Sequence, residues 1–208
     1  FLFIDRTRDI AAAFLSGVAD ATNRLLTDTD FESAVNYGLR ALGEAAEVDR
    51  VYIFKNLEDK EHASPCLTRR FEWVREGGEP RAENPNYRSI PCEDFEQEWY
   101  NTLSKGDIVA GLVRNMPEKY RQHMQSQGVL YHMVVPIIME GHFWGVIGFD
   151  DCHSERNWTC NEISVIKVAV GSIGGAIARK QAEDAMRTAK EAADLANTAK
   201  SQFLTTMS

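Results

Sequence analysis

From Thr159 to the last residue the chain contains no proline, and this single feature restricts the fold more than any other. Thr159 and Glu162 form a T-x-x-E capping box, in which hydroxyl and carboxylate each satisfy an amide left free by the first helical turn. The spacing predicts one helix of about 45 to 48 residues, some 70 Å long at 1.5 Å per residue. A small domain does not need a helix of that length to close its core, so the helix is expected to leave the domain and carry something out of it. Its first part repeats Ile163, Ile166, Val170, Ile173 and Ile177 in alternating steps of three and four, the spacing of a coiled-coil seam.

Upstream the periodicity changes. Phe3, Ile10, Phe14, Val18, Ala21 and Leu25 mark one face of an N-terminal helix over residues 1–27. A second helix is expected to start at Thr29, capped by its hydroxyl with Glu32 reaching back, and to bury Phe31, Val35, Leu39 and Leu42. Residues 51–54 and 66–74 turn β-branched and aromatic, with Leu67, Arg69, Phe71 and Trp73 alternating onto one face. The stretch 76–91 holds Gly77, Gly78, Pro80, Pro85 and Pro91 and reads as a loop. A short helix over 94–103 stopped at Gly106, a strand over 108–112 and a helix over 117–127 stopped at Gly128 follow. The clearest β signal is 131–139 with 143–149 across a tight turn at Glu140-Gly141. Pro136 has no amide to donate, which puts its strand at an edge or at a bulge. Helices at both ends of a hairpin-linked sheet define an α+β fold around a central antiparallel sheet.

Composition excludes several classes. The net charge of −8 argues against nucleic acid, whose phosphates demand clustered Lys and Arg. No unbroken run of about 18 apolar residues exists to span a bilayer. Cys66, Cys92, Cys152 and Cys160 are irregularly spaced, as expected of reduced thiols in a cytoplasmic protein. The chain opens on Phe1 without an initiator Met, which predicts a piece of a longer protein, with room for an upstream membrane segment.

The segments Gly128-Val129, Val134-Val135-Pro136-Ile137, Phe143 through Asp150, Arg156-Asn157-Trp158 and Glu162 resemble the second half of GAF domains. Trp99, Leu103, Gly106 and Pro117 fall where that family places its ligand-side helices. The resemblance implies a GAF/PAS-like sheet with flanking helices, a sensor core over residues 28–160 and an exit helix over 161–208. It does not imply a ligand, because the family uses one scaffold for many small molecules. The tail Ala192 through Ser208, with Ala199-Lys200-Ser201-Gln202-Phe203-Leu204-Thr205-Thr206-Met207-Ser208 at its end, is similar to the opening of the dimerisation helix of sensor histidine kinases, just before their phosphoacceptor histidine. That likeness implies a parent that is an ATP-dependent histidine kinase, with the hybrid type in view, acting with its own kinase domain and a response regulator. This chain has no glycine-rich phosphate loop, so it is expected to be non-catalytic by itself.

The sequence offers four kinds of site. Covalent bilin attachment, implied by the Cys152-His153 pair, is disfavoured because GAF domains of the phytochrome class place that cysteine before the Val134-Val135-Pro136-Ile137 strand, here within 118–123, where no cysteine occurs. His123, His132, Cys152, His153 and Cys160 offer ligand types for a metal or haem, but without a metal-site spacing. Cys160 at a helix start is a candidate redox thiol or an incidental small residue. A pocket between the sheet and residues 94–127 is expected to draw its lining from Phe71, Trp73, Trp99, Tyr100, Tyr120, Met133 and Phe149, with Arg69 as an anion partner; these aromatics serve equally well as plain core. The N-K-x-F-D-E pattern of cyclic-nucleotide GAF domains is not recognisable.

The functional expectation is therefore a sensory and dimerising module of a two-component kinase that binds a small, unidentified ligand. A ligand-free dimerisation module and the GAF sensor of a diguanylate cyclase are the alternatives. Gly171, Gly174 and Gly175, with Ala11, Ala12, Ala13 and Gly17, offer small surfaces for a parallel homodimer. The isoleucine stripe would next require apolar residues at 180 and 184, which are Lys180 and Asp184. An alanine stripe then resumes as Ala185, Ala189, Ala192, Ala196, Ala199 and Phe203, or as Ala182, Met186, Ala189, Ala193, Ala196 and Phe203. A change of helix phase between Ile177 and Ala182 is thus expected to transmit the signal.

Overall fold

Glu140 and Gly141 both adopt positive φ, 51° and 81°. This two-residue turn matches the twist of the strands it joins, and it sets Met139 opposite His142. The computed structural model describes residues 30–57, 66–78, 80, 89–91, 97–156 and 158–207, with scattered positions between 12 and 28. The elements in chain order are α1 (Phe31–Ala46), β1 (Arg50–Leu57), β2 (Cys66–Val74), β3 (Ser89–Pro91), α2 (Gln97–Ser104), β4 (Val109–Leu112), α3 (Glu118–Gln125), β5 (Tyr131–Met139), β6 (His142–Asp151) and α4 (Cys160–Met207). The strands form one sheet in the order β3-β2-β1-β6-β5-β4. Every pairing is antiparallel.

Local chemistry explains most boundaries. The α1 helix is capped by Asp30, one residue later than Thr29, with its carboxylate accepting from the Ser33 amide at 3.3 Å and the Ser33 hydroxyl at 2.5 Å. The α4 box forms as the sequence dictates: Thr159 N–H donates to Glu162 at 2.7 Å and Glu162 N–H to the Thr159 hydroxyl at 3.3 Å. Residues 76–91 are not loop throughout, because Ser89–Pro91 adds a short outer strand on β2. Pro136 is tolerated because β4 pairs with β5 only as far as Val134. The register of β5 against β6 also shifts just beyond it, between Ile137 and Ile138. Most of the expected N-terminal helix lies outside the described residues. Gly17 is described, and a Cβ there would stand 3.3 Å from Ala41 of α1.

The sheet separates two apolar layers. On one side α1 and α4 cover Val51, Ile53, Met133, Val135, Ile137, Ile147 and Phe149. On the other side α2 and α3 cover Tyr52, Phe54, Leu67, Val134 and Val146. The isoleucine stripe of α4 belongs to the first layer: Ile166, Val170, Ile173 and Ile177 are at most 1% exposed, and Ile163 packs at its margin. The expected coiled-coil seam is therefore intramolecular, with β5 as its partner. Buried in full, each such side chain contributes about 1.5–3 kcal/mol. The stripe stops where the sheet stops, and Lys180 pairs with Asp184 at 3.5 Å in the next turn. Among the described residues the same helix is the one element whose length and apolar content would suffice for a membrane span; its buried apolar residues Ile166, Val170, Ile173 and Ile177 are used against the sheet, while Val168 is exposed.

Two glycines on α4 separate packing from propensity. A Cβ on Gly174 would fall 2.6 Å from Ile137 Cγ2, whereas one on Gly171 meets nothing within 4 Å. Gly174→Ala should lower stability by about 1–3 kcal/mol through overpacking. Gly171→Ala should leave it unchanged or raise it by up to about 1 kcal/mol. Urea unfolding of the two variants at low protein concentration checks the difference; equal effects would contradict the packing.

Candidate functional site

Alternation along β5 turns His132 away from Met133, onto the side of α2 and α3, and the pairing register places it opposite Asp150 of β6. Asp150 in turn faces Arg50 of β1. Three strands thus deliver charged side chains to one buried point. His132 and Asp150 are each 1% exposed and Arg50 is 6% exposed. The His132 Nδ1 stands 2.7 Å from Asp150 Oδ1, the Tyr52 hydroxyl donates to the same oxygen at 3.2 Å, and Arg50 Nη1 lies 3.5 Å from Oδ2. The Tyr120 hydroxyl of α3 lies 2.7 Å from His132 Nε2. An Nδ1–H tautomer satisfies every member, donating to Asp150 and accepting from Tyr120. Trp99 of α2 closes the group, with its ring 4.3 Å from Tyr120 and 6.2 Å from His132, nearly parallel to the imidazole.

Burial alone would raise the Asp150 carboxyl, but the hydrogen bonds from His132 and Tyr52 and the Arg50 charge outweigh it and hold the group below the ordinary value of 3.8. Tyr120 is pushed well above the ordinary tyrosine range, first by burial and then by the Asp150 charge. The order hydroxyl, imidazole, carboxylate is that of an activated nucleophile.

The expected pocket lining divides between the two sides of the sheet. Trp99, Tyr100 and Tyr120 lie on the α2 and α3 side. Met133 and Phe149 are in the opposite layer, with Phe71 and Trp73 against it. Phe71 meets Phe31 of α1 edge-on at 6.3 Å, and any Cβ on Gly43 of α1 would overlap the Trp73 ring. Arg69 does not share a face with Phe71 and Trp73 as alternation suggested. The register jumps from Ile53↔Phe71 to Phe54↔Arg69, so Arg70 is the extra residue of a bulge, and a bulge reverses facing on one side of it. Arg69 consequently lies over Tyr52 and Phe54, 5.1 and 5.0 Å from the ring centroids, and bonds Glu72 at 2.7 Å.

Arg50, Tyr52, Asn56 and Asp150 were not singled out from sequence. Strict alternation from Phe149 would have turned Asp150 toward this side; the partnering of Arg50 required the register. A cleft of about 300 Å³ opens where β1 begins and β6 ends, lined by Asp49, Arg50, Arg75, Gln127, Cys152 and His153 among others. Arg50 Nη2 reaches Cys152 Sγ at 3.4 Å there, and Asp49 accepts from Cys152 N–H at 2.7 Å and stands 2.9 Å from His153. The α3 helix carries no thiol, and Cys152 lies at this cleft instead. Among the described residues no three His, Cys, Asp or Glu are grouped to hold a metal. Cys160 is exposed on the first turn of α4.

Residues 30–177 match the family model described as GAF domain. The methanogenesis regulatory histidine kinase FilI of Methanothrix harundinacea (strain 6Ac) is 41% identical over 167 residues, which cover 80% of this chain and 19% of that protein. An uncharacterized protein of Azorhizobium caulinodans is 21% identical over 151 residues, 70% of this chain and 20% of its own length. The chain therefore spans about a fifth of the curated relatives it matches. Among solved structures, the phycocyanobilin-bound GAF domain from a cyanobacterial phytochrome has a TM-score of 0.68 at 17% identity, covering 82% of this chain and 96% of that one. The chromophore-binding domain of the bacteriophytochrome RpBphP3 from R. palustris has a TM-score of 0.67 at 14% identity, covering 82% and 62%. At such identities the likeness is one of fold.

The buried carboxylate makes stability depend on pH with a definite sign. A carboxyl whose folded value is depressed stabilises above the unfolded value and loses that contribution as pH falls through the folded one. The native chain should therefore lose stability below about pH 4. Asp150→Asn, which leaves Arg50 buried without its carboxylate, should cost about 3 kcal/mol at neutral pH. It should also flatten the acid limb, as chemical denaturation between pH 7 and pH 3 would register; an unchanged acid limb would contradict the assignment.

Proposed function

The chain belongs to the GAF family, and on that premise we propose that it is the sensory and dimerising input module of a cytoplasmic two-component histidine kinase. It binds a small ligand on the α2 and α3 side of the sheet and passes the bound state to α4. The kinase domain of the same polypeptide and a response regulator are its downstream partners. The observation that carries this reading is the continuity of α4, a single helix from Cys160 to Met207. Its first turns form the core beneath β5, Gln181 still accepts from Trp144 of β6 at 3.3 Å, and from Ala182 on the helix is largely exposed. A displacement of the sheet therefore moves the far end of the rod. The 41% identity to a histidine kinase and the kinase-like tail supply the identity of the output.

The outward face of α4 supports a second copy as the partner of the rod. Val168 is 61% exposed, and Gly171 and Gly175 face open space. Interior glycines cost helix stability, and no contact among the described residues requires these two. With Val168 at position a, the heptad continues as Gly175, Ala182, Ala189 and Ala196, and the d positions are Gly171, Ala178, Ala185, Ala192 and Ala199. One phase thus runs through the region where a phase change was expected. The isoleucine and alanine stripes are different faces of one helix, the first for the sheet and the second for a parallel homodimer. Small residues at these positions permit close approach of two helices, and an alanine seam slides or rotates at low cost.

Sedimentation equilibrium at micromolar concentration should give a dimer, and Val168→Lys with Gly175→Leu should give a folded monomer; a monomeric parent chain would refute the seam. In the full kinase, deleting one heptad beyond Arg179 keeps the helix phase and should preserve regulation. Inserting two residues after Lys180 rotates the distal seam by about 200° and should fix activity high or low. Normal signal responses in both variants would rule out transmission through α4.

A further inference from the structure

Two buried polar atoms on the α2 side of the sheet have no hydrogen-bond partner among the described residues, Arg69 Nε and Asn56 Oδ1. They are neighbours in the register: Arg69 lies opposite Phe54, and Asn56, two residues on and facing the same way, lies opposite Leu67. The Asn56 amide nitrogen is already used on the Tyr100 hydroxyl at 3.4 Å and the Phe143 carbonyl at 3.3 Å. This fixes the amide orientation and leaves its oxygen as the idle acceptor. Arg69 is 7% exposed along its side chain and lies over two aromatic rings. A buried donor and a buried acceptor left unmet each cost about 1–3 kcal/mol, and native folds rarely leave them so.

Charge decides what meets them. Arg69 is neutralised by Glu72, 2.7 Å away and 2% exposed, and Arg50 by Asp150. The described side chains of this face therefore carry no surplus positive charge. An anion placed on Arg69 would add an uncompensated buried charge beside Glu72, which is costly, whereas a neutral group adds none. We infer that this side of the sheet takes a small uncharged planar ligand of the amide, lactam or urea class. Its carbonyl accepts from Arg69 Nε, its N–H donates to Asn56 Oδ1, and its flat face lies among Tyr52, Phe54 and Tyr100. The inference rests on the reading that the sensor's ligand binds on this side, and it replaces the expectation that Arg69 partners an anion.

The test uses the whole 208-residue chain, labelled with 15N. The Arg69 Nε–Hε resonance is assigned by its loss in Arg69→Lys, and two probes of like size are titrated. Benzamide offers an acceptor and a donor; benzoate offers acceptors and a charge. The expected result is a saturable shift of the Arg69 resonance with benzamide, at least about tenfold weaker with benzoate and similarly weakened for benzamide in Asn56→Ala. Preserved amide spectra in both variants show that they fold. Tighter binding of benzoate would overturn the neutral class while leaving a ligand site. No saturable shift with either probe would overturn the inference outright, the two atoms then being met by water alone. Neither result bears on the helix-insertion test, which stands or falls without a ligand.

Discussion

The packing of Ile166, Val170, Ile173 and Ile177 against β5 is the contact on which the rest of the molecule depends. These four residues are at most 1% exposed, and together they bury one whole side of a helix that then continues to Met207. Helix propensity alone holds short isolated helices only marginally in water. The rod is stable at its root because the sheet supplies the apolar partner, and beyond the root it needs another. The arrangement also fixes direction: the helix leaves from the side of the sheet opposite to α2 and α3, a single layer of strands away from them.

That layer is unlike on its two sides, and strand alternation makes it so. Met133, Ile147 and Phe149 give α1 and α4 a dry surface, while their neighbours His132, Gly148 and Asp150 turn toward α2 and α3. A buried carboxylate held by an imidazole, a phenol and a guanidinium locks β1, β5 and β6 in one register, since a one-residue slip would leave each charge unpaired. Changes on the α2 and α3 side can therefore bend or twist three strands as a unit. One of them, β5, carries the main contacts of α4, which would give the proposed relay a contiguous packed path.

Much of this was legible in the sequence because it is local. The Thr159–Glu162 box, the Glu140-Gly141 hairpin and strands 66–74 and 131–139 follow from side-chain chemistry within a few residues. Non-local information leaves no such mark. Ile163 through Ile177 have the same spacing whether they face a second helix or their own sheet, and only the fold distinguishes the two. Strict alternation puts Arg69 with Phe71 and Trp73, because a bulge at Arg70 leaves no mark on the hydrophobic pattern. The Arg50–Asp150–His132 cluster spans residues far apart in sequence, and no spacing rule links them.

The central claim is that α4 is one helix with two regimes, a root shared with the sheet and a rod supported by a second copy. Native-state hydrogen exchange resolved by residue measures both at once. Amides from Ile166 to Ile177 should exchange only with global unfolding, together with β5 and β6, at any protein concentration. Amides from Ala182 to Ala196 should be weakly protected in dilute protein and gain protection as concentration rises through the dimer range. Protection of the distal segment that is independent of concentration, or a root that exchanges as freely as the rod, would contradict the account.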